Sequence, residues 1–305
     1  MPGQTAGWDR LRLRLRSTAP PLYPPAPRPA GSPSAPATVP VLDPAAPLPA
    51  LATAPVLDPA VPLPAPATAP VLDPAVPLPA PATAPDCEVC RGPVRPGFAR
   101  CYQCGHHGLL GDGLLADAMV PISYAIRGTA FAEDLWRYKW ARAPAASAQA
   151  SILALLLAFL ADHGACVWRH AGMPPPSRLA VVPTGSGRPD PHPLLRLVSP
   201  CLRLPICPLA IRPGRQGRDF DPDRFRAGQI PDAASVLLLD DTWVSGASAQ
   251  SATAALKQVG ARHVAVVVLG RHINPNDPAA GSLLTALTPA RYDPSTCAVH
   301  PRPAP

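Results

Sequence analysis

Two adjacent carboxylates followed by a loop of small residues form the stretch with the clearest chemical potential. Asp240 and Asp241 follow the apolar run 236–239, and residues 244–248 lead into an alanine-rich run at 249–260. This pattern predicts a buried strand, a turn and a helix, with the turn at the carboxyl edge of a parallel sheet, where ligands bind. Free N–H groups at the start of the helix favour an anion. Because paired acids repel a bare phosphate, we expect a ligand that also carries hydroxyl groups and a divalent cation.

The same stretch resembles the phosphoribosyl pyrophosphate signature of type I phosphoribosyltransferases, in which two acids and a Thr/Ser-Gly turn follow an apolar strand. The resemblance implies that Asp240 and Asp241 are the catalytic acids, which hold the ribose hydroxyls and a magnesium-linked water. It implies a 5′-phosphate site formed by Val244, Ser245, Gly246, Ala247 and Ser248. Trp243 and Ser245 stand where that family more often has a small or β-branched residue and a threonine. The alternative interpretation is an ordinary buried strand with a polar turn.

A second turn follows the apolar run 178–183, which predicts another parallel strand. The turn consists of Thr184, Gly185, Ser186, Gly187 and Arg188. In type I phosphoribosyltransferases the turn after the first core strand binds pyrophosphate through backbone N–H groups and a basic side chain. The resemblance implies that role for these five residues, and a plain loop is the alternative.

The arginine- and glycine-rich stretch 212–226 is too polar for the core. Where it stands, the phosphoribosyltransferase family carries a hood that closes over the active site and excludes water. Arg215 or Arg218 would then reach the pyrophosphate oxygens. A solvated basic loop is the alternative.

Four of the cysteines form two Cys-x-x-Cys pairs separated by ten residues: Cys87 with Cys90, and Cys101 with Cys104. This spacing predicts a zinc ribbon in which four thiolates surround one structural zinc ion. Since four sulfurs close the coordination shell, His106 and His107 are expected to be exposed turn residues. Reduced metal-binding cysteines also favour a cytoplasmic location over a disulfide framework.

Four further cysteines are expected to bind no metal. Cys166, Cys201 and Cys207 stand in apolar surroundings, which predicts inert core residues. Cys297 and His300 are close in sequence, but two donors do not make a metal site.

The segment 135–139, Leu-Trp-Arg-Tyr-Lys, resembles a recurrent segment of ComF-type competence proteins. That family couples a short N-terminal zinc ribbon to a phosphoribosyltransferase-like domain, and both parts occur here in that order, over residues 86–275. The resemblance implies magnesium-dependent binding of phosphoribosyl pyrophosphate and transfer of phosphoribosyl to an unknown nucleophile. The alternative is a non-enzymatic DNA-uptake or regulatory protein that uses the nucleotide site as a sensor. Nucleic acid and a second copy of the chain stay open as partners.

Composition divides the chain. The 48 prolines concentrate before the first cysteine, and Val-Leu-Asp-Pro begins at 41, 56 and 71. Prolines at this density remove backbone donors, which predicts a disordered linker at 20–85 after a basic arm at 1–19. The net charge of +7 and a pI near 9.2 suit phosphate-rich ligands without selecting one.

Alternating apolar strands and helices predict an α/β fold. We expect a doubly wound parallel sheet of the type I phosphoribosyltransferase kind at 109–274, preceded by the zinc ribbon at 86–108. A Pro-rich tail at 275–305 is expected to hold a minor helix at 281–287.

Three shorter segments complete the prediction. A helix at 130–140 should be capped by Thr129, and Trp136 should lie on an apolar line. A helix at 146–163 should end at Gly164, and 206–211 should form a strand. The longest apolar run, 152–161, is shorter than the ~20 residues that span a bilayer, so no membrane span is expected.

Overall fold

The computed structural model describes residues 86–95, 97–139, 145–184, 192–215, 217–287 and 297–299. The predicted basic arm and Pro-rich linker lie outside these residues. So do four of the five proposed pyrophosphate-binding residues, at 185–188, and most of the tail after 287.

Four parallel strands form the central sheet, in the order β1-β6-β5-β2. They are β1 (Ala118–Ile126), β2 (Arg178–Val181), β5 (Ala234–Trp243) and β6 (Ala261–Ile273). The central strands β5 and β6 are continuous runs of buried branched residues, as expected for strands covered on both faces. The predicted parallel α/β sheet is therefore confirmed.

Helices cover one face of the sheet. They are α2 (Ala130–Arg137), α3 (Ala145–His170) and α4 (Pro193–Leu202). Leu237, Leu239 and Val267 from the central strands join their apolar residues in one core cluster. This layer brings the end of α2 and the start of α4 close to the end of β5.

The opposite face is covered by α5 (Ala247–Gln258) and by the cysteine-rich segment. Cys87, Cys90 and Cys104 belong to the same buried cluster as Val236 and Leu238 of β5. The sheet is covered on both faces, as predicted. The cysteine segment is part of that covering layer.

The cysteine segment ends in a helix, α1 (Tyr102–Leu110), which extends beyond the predicted boundary at 108. His107 lies on this helix with only 2% of its surface exposed, so the prediction that it is an exposed turn residue is wrong. Its ring packs against Phe220, with 5.9 Å between the ring centroids. His107 lies three positions after the buried Cys104, on the same face of the helix, so it turns inward while His106 stays exposed.

The helix α3 runs for 26 residues, to His170. Gly164 does not end it: this glycine lies in mid-helix at a buried position, next to the ring of Trp168 one turn later. The chain turns instead at Gly172, where φ is +61°. By length and composition, Ala146–His170 is long and apolar enough to cross a membrane, and half of its most apolar window is buried inside the protein. The buried residues of this helix pack in the core cluster that includes residues of β5 and β6.

The predicted strand at 206–211 forms only in part. Ile206 makes a single parallel bridge to Leu179 of β2. The following residues form β3 (Leu209–Ile211), which pairs antiparallel with β4 (Phe225–Ala227) in a separate two-stranded sheet. This small hairpin carries the predicted hood between its strands.

The last described elements are a 3₁₀ turn at Pro278–Ala280 and α6 (Gly281–Leu287), the predicted minor helix. Helix α2 begins at the predicted cap, where the Thr129 hydroxyl accepts from the Ala132 N–H. Trp136 is 60% exposed, so it does not lie on a buried apolar line.

Candidate functional site

The loop after β5 has the geometry of an anion cradle. Gly246 adopts φ +84° and directly precedes α5, and a Cβ at this position would collide with the ring of Trp243. Glycine is therefore required by both backbone conformation and the buried indole beneath it. Ser245 Oγ accepts from the Ala247 N–H at 3.3 Å, which orders the first turn. The N–H groups at the start of α5 thus lie at the carboxyl edge of the sheet.

Asp241 is held by side chains from the helical layer. Its carboxylate, 8% exposed, accepts from the Tyr138 hydroxyl at 2.7 Å and from Lys139 Nζ at 2.8 Å. His192 Nε2 lies 3.9 Å away. Because His192 Nδ1 accepts from the Leu194 N–H at 3.0 Å, its proton is assigned to Nε2, facing the carboxylate. Burial raises the pKa of Asp241, but Lys139 and Tyr138 outweigh burial and hold this pKa below the usual value.

Asp240 has the opposite electrostatic environment. Its carboxyl group is half-buried at the same strand end, and its Oδ1 accepts from the Asp241 N–H at 2.9 Å. Burial, followed by repulsion from Asp241, raises the pKa of Asp240 to about 8. Of the two predicted catalytic acids, Asp240 is therefore the one that gains from a cation or a hydroxyl donor supplied by a ligand.

The hood segment 212–224 touches the loop after β5. Arg224 is buried, and its Nη1 donates to Ser248 Oγ at 3.3 Å. Its Nη2 donates to the Asp219 carbonyl, while Nε has no hydrogen-bond partner among the described residues. Ser245 Oγ also donates to the Arg218 carbonyl at 3.4 Å. The hood thus places a guanidinium beside the start of α5.

The two hood arginines named from sequence, Arg215 and Arg218, make contacts within the hood and with the loop after β5. Arg215 pairs with Asp221 at 3.4 Å and with Asp223 at 3.9 Å, both within its own loop. Arg218 contributes a carbonyl to Ser245, and its residue is exposed. Whether either arginine reaches pyrophosphate stays a prediction.

The four predicted zinc ligands lie together. The four cysteine sulfurs are all within 4.8 Å of one another, and Cys90 Sγ lies 3.8 Å from Cys101 Sγ. Sulfurs at the corners of a tetrahedron ~2.3 Å from zinc are ~3.8 Å apart, so this spacing fits the metal. Hydrogen bonds from neighbouring thiols lower the pKa of Cys101 to about 6 and raise that of Cys104. Four thiols this close need a cation to ionise together.

Arg271 connects the cysteine cluster with the loop after β5. Its side chain is buried, and Nη1 donates to the Trp243 carbonyl at 3.1 Å. The guanidinium lies against Gly92 in the first cysteine turn, where a Cβ would collide with it. A zinc ion with four thiolates carries a net charge of −2, so a buried arginine beside it is electrostatically favourable. Tyr124 of β1 also connects the sheet with the first cysteine turn, since its hydroxyl donates to the Arg91 carbonyl at 2.8 Å.

The structure therefore groups the predicted acids and the predicted 5′-phosphate loop, while Thr184 alone represents the pyrophosphate turn among the described residues. Sequence reasoning missed the contacts made by Lys139, His192, Arg224 and Arg271. The resemblance of segment 135–139 was the available signal for Lys139. The other three residues carry no local pattern that distinguishes them from their neighbours.

No family model matches the chain, and no curated protein matches it. A similar solved structure is a purine phosphoribosyltransferase from Pyrococcus horikoshii Ot3, with 14% sequence identity and a TM-score of 0.24. The alignment covers 39% of this chain and 86% of that chain. The resemblance to ComF-type proteins stays a prediction.

Proposed function

We propose that this protein binds phosphoribosyl pyrophosphate together with magnesium at the carboxyl edge of the sheet. One observation carries the proposal: a half-buried carboxyl group with a raised pKa stands beside a glycine-led helix start that is backed by a buried arginine. Such a site suits a ligand that has a phosphate at one end and hydroxyl groups next to it.

Different residues of the site would bind different parts of the ligand. The N–H groups of residues 245–248 would bind the 5′-phosphate, with Arg224 adding a cationic donor from the hood side. Asp240 would accept from a ribose hydroxyl or hold the magnesium ion through its carboxylate. Asp241 keeps the strand end in place through Lys139 and Tyr138. The cation fits here because a positive charge would relieve the repulsion that raises the pKa of Asp240.

Transfer of the phosphoribosyl group to a nucleophile is the proposed activity of the bound complex. The bond between ribose and pyrophosphate would break as the nucleophile attacks the ribose carbon. Magnesium, when bound, supplies positive charge to the leaving pyrophosphate. Arg188 is proposed to add to it. The ionised Asp240 carboxylate would stabilise positive charge on the ribose, and the phosphate loop would hold the ring in position.

Calorimetric titration of phosphoribosyl pyrophosphate into the full chain tests the proposal. We expect binding in magnesium, and a loss of at least about tenfold, ~1.4 kcal/mol, in Asp240→Asn. Asp232→Asn is the matched control, since Asp232 is exposed and precedes the opposite end of β5. Wild-type binding that is equal without magnesium, or unchanged in Asp240→Asn, would contradict the assignment.

The DNA-handling alternative rests on the ComF resemblance, the predicted zinc ribbon and the basic N-terminal arm. It predicts duplex DNA binding that weakens steeply with salt, because bound arginines release counterions from the phosphates. Salt-dependent DNA binding in a protein that fails to bind phosphoribosyl pyrophosphate would move this function to first place.

A further inference from the structure

A second group of histidine and cysteine side chains with closely spaced donor atoms lies away from the four-cysteine cluster. It consists of His163, Cys166 and Cys297, whose donor atoms are all within 4.8 Å of one another. Sequence analysis assigned no metal to any of the three. The fold creates the group by bringing Cys297, near the chain end, onto the last third of α3.

The helix presents two of the donors together. His163 and Cys166 are three positions apart, which places them on the same face of α3. His163 is 8% exposed, and its ring packs on Phe159 with 5.5 Å between the ring centroids. The imidazole is therefore positioned by the core.

The third donor arrives on a segment that is itself docked. Ala298 and Val299, which follow Cys297, pack against the core cluster that contains α3. Ala298 also contacts the smaller cluster of Leu283 and Leu287. The position of Cys297 is therefore supported by apolar contacts on both sides of the segment.

We propose that His163, Cys166 and Cys297 bind a second zinc ion, which fastens the C-terminal segment to α3. One imidazole and two thiolates are a donor set that zinc prefers. A water molecule in the fourth position would complete the tetrahedron.

The net charge of the proposed zinc site differs from that of the four-cysteine site. Two thiolates and a neutral imidazole around Zn²⁺ have a net charge of zero, whereas four thiolates leave −2. A neutral centre is compatible with the apolar surface of α3 and needs no buried arginine. The ribbon, in contrast, has Arg271 beside it.

A metal clip at this point would close a loop of about 130 residues between Cys166 and Cys297. A cross-link that closes a long loop restricts the unfolded chain most, so the ion would stabilise the folded state. The proposed site uses none of the residues assigned to phosphate or ribose binding, and either proposal can fail without the other.

Native mass spectrometry of the zinc-replete full chain is the test. We expect two zinc ions in the wild type and one in Cys166→Ser or Cys297→Ser. Cys201→Ser is the matched control and should keep two, because Cys201 is also partly buried on a helix but belongs to no donor group among the described residues.

One zinc ion in the wild type would overturn the proposal, as would two ions in both serine variants of the site. A wild-type mass 2 Da lower under denaturing conditions, mapped to a Cys166–Cys297 disulfide, would also overturn it. Because the four-cysteine cluster is predicted to bind one ion, a second ion in the wild type requires a further site, whether or not a variant folds.

Discussion

Adjacent aspartates at the end of β5 have opposite electrostatic environments. Lys139 and Tyr138 hold Asp241 in its ionised form, while Asp240 is half-buried next to that charge. A strand places successive side chains on opposite faces, so neighbours in sequence contact different layers of the molecule. The pair therefore combines one anchoring acid with one acid available to a ligand.

Asp240 should make stability depend on pH. Its pKa is about 8 in the folded chain and near 3.8 when unfolded, so the folded state binds more protons between these values. This contribution is fully present below pH 4 and is lost as the pH rises through 8. We expect the melting temperature of Asp240→Asn, relative to that of the wild type, to rise by at least about 3 °C between pH 5.5 and pH 8.5, equivalent to ~1 kcal/mol.

Thermal melts monitored by circular dichroism, without ligand, measure this difference. Asp232→Asn should show the same small offset at both pH values. An Asp240→Asn offset that does not grow with pH would show that this carboxyl group is already ionised in the folded protein.

At the scale of elements, the turn after α2 fixes the strand end that carries the site. Tyr138 and Lys139 are the first residues past α2, and both contact Asp241. The exposed pair of Arg137 with Glu133, one turn apart on α2, makes no such connection between elements. A buried ion pair between a helix end and a strand end restricts their relative position.

Lys139→Met should destabilise the fold by about 3 kcal/mol, because it leaves the Asp241 carboxylate buried without its cation. Arg137→Met, two residues earlier, should cost about 0.5 kcal/mol or less, since its partner is exposed. Urea denaturation at pH 7 gives both values. Equal losses in the two variants would mean that the Lys139 contact contributes no more than a surface pair.

At the scale of the whole molecule, the four-cysteine segment is part of the core. Its cysteines share a buried cluster with β5 and β6, and Arg271 joins the cluster to the loop after β5. Removing zinc should therefore expose one face of the sheet to solvent, in addition to unfolding the cysteine segment itself.

Zinc removal is expected to lower the melting temperature of the entire domain, in a single transition, by at least about 10 °C. Structural zinc contributes on the order of 10 kcal/mol in small zinc modules. Calorimetry before and after chelation measures the shift, and the Cys166→Ser variant removes the contribution of the second proposed ion. A sheet transition that stays at its original temperature after zinc loss would show that the ribbon folds independently.

Periodicity and local pattern determined much of the architecture. Branched apolar runs predicted the buried parallel strands, Thr129 predicted the start of α2, and two Cys-x-x-Cys pairs predicted the four-sulfur cluster. Each of these features follows from interactions within a few residues, which the sequence alone displays.

Long-range packing decided the remainder. Gly164 stays helical at a buried position of α3, and His107 turns inward against Phe220 of the hood. The roles of Lys139, Arg224 and Arg271 depend on partners more than twenty residues away, and Cys297 meets His163 across more than a hundred. Burial and charge pairing act through space, so only the tertiary structure assigns them.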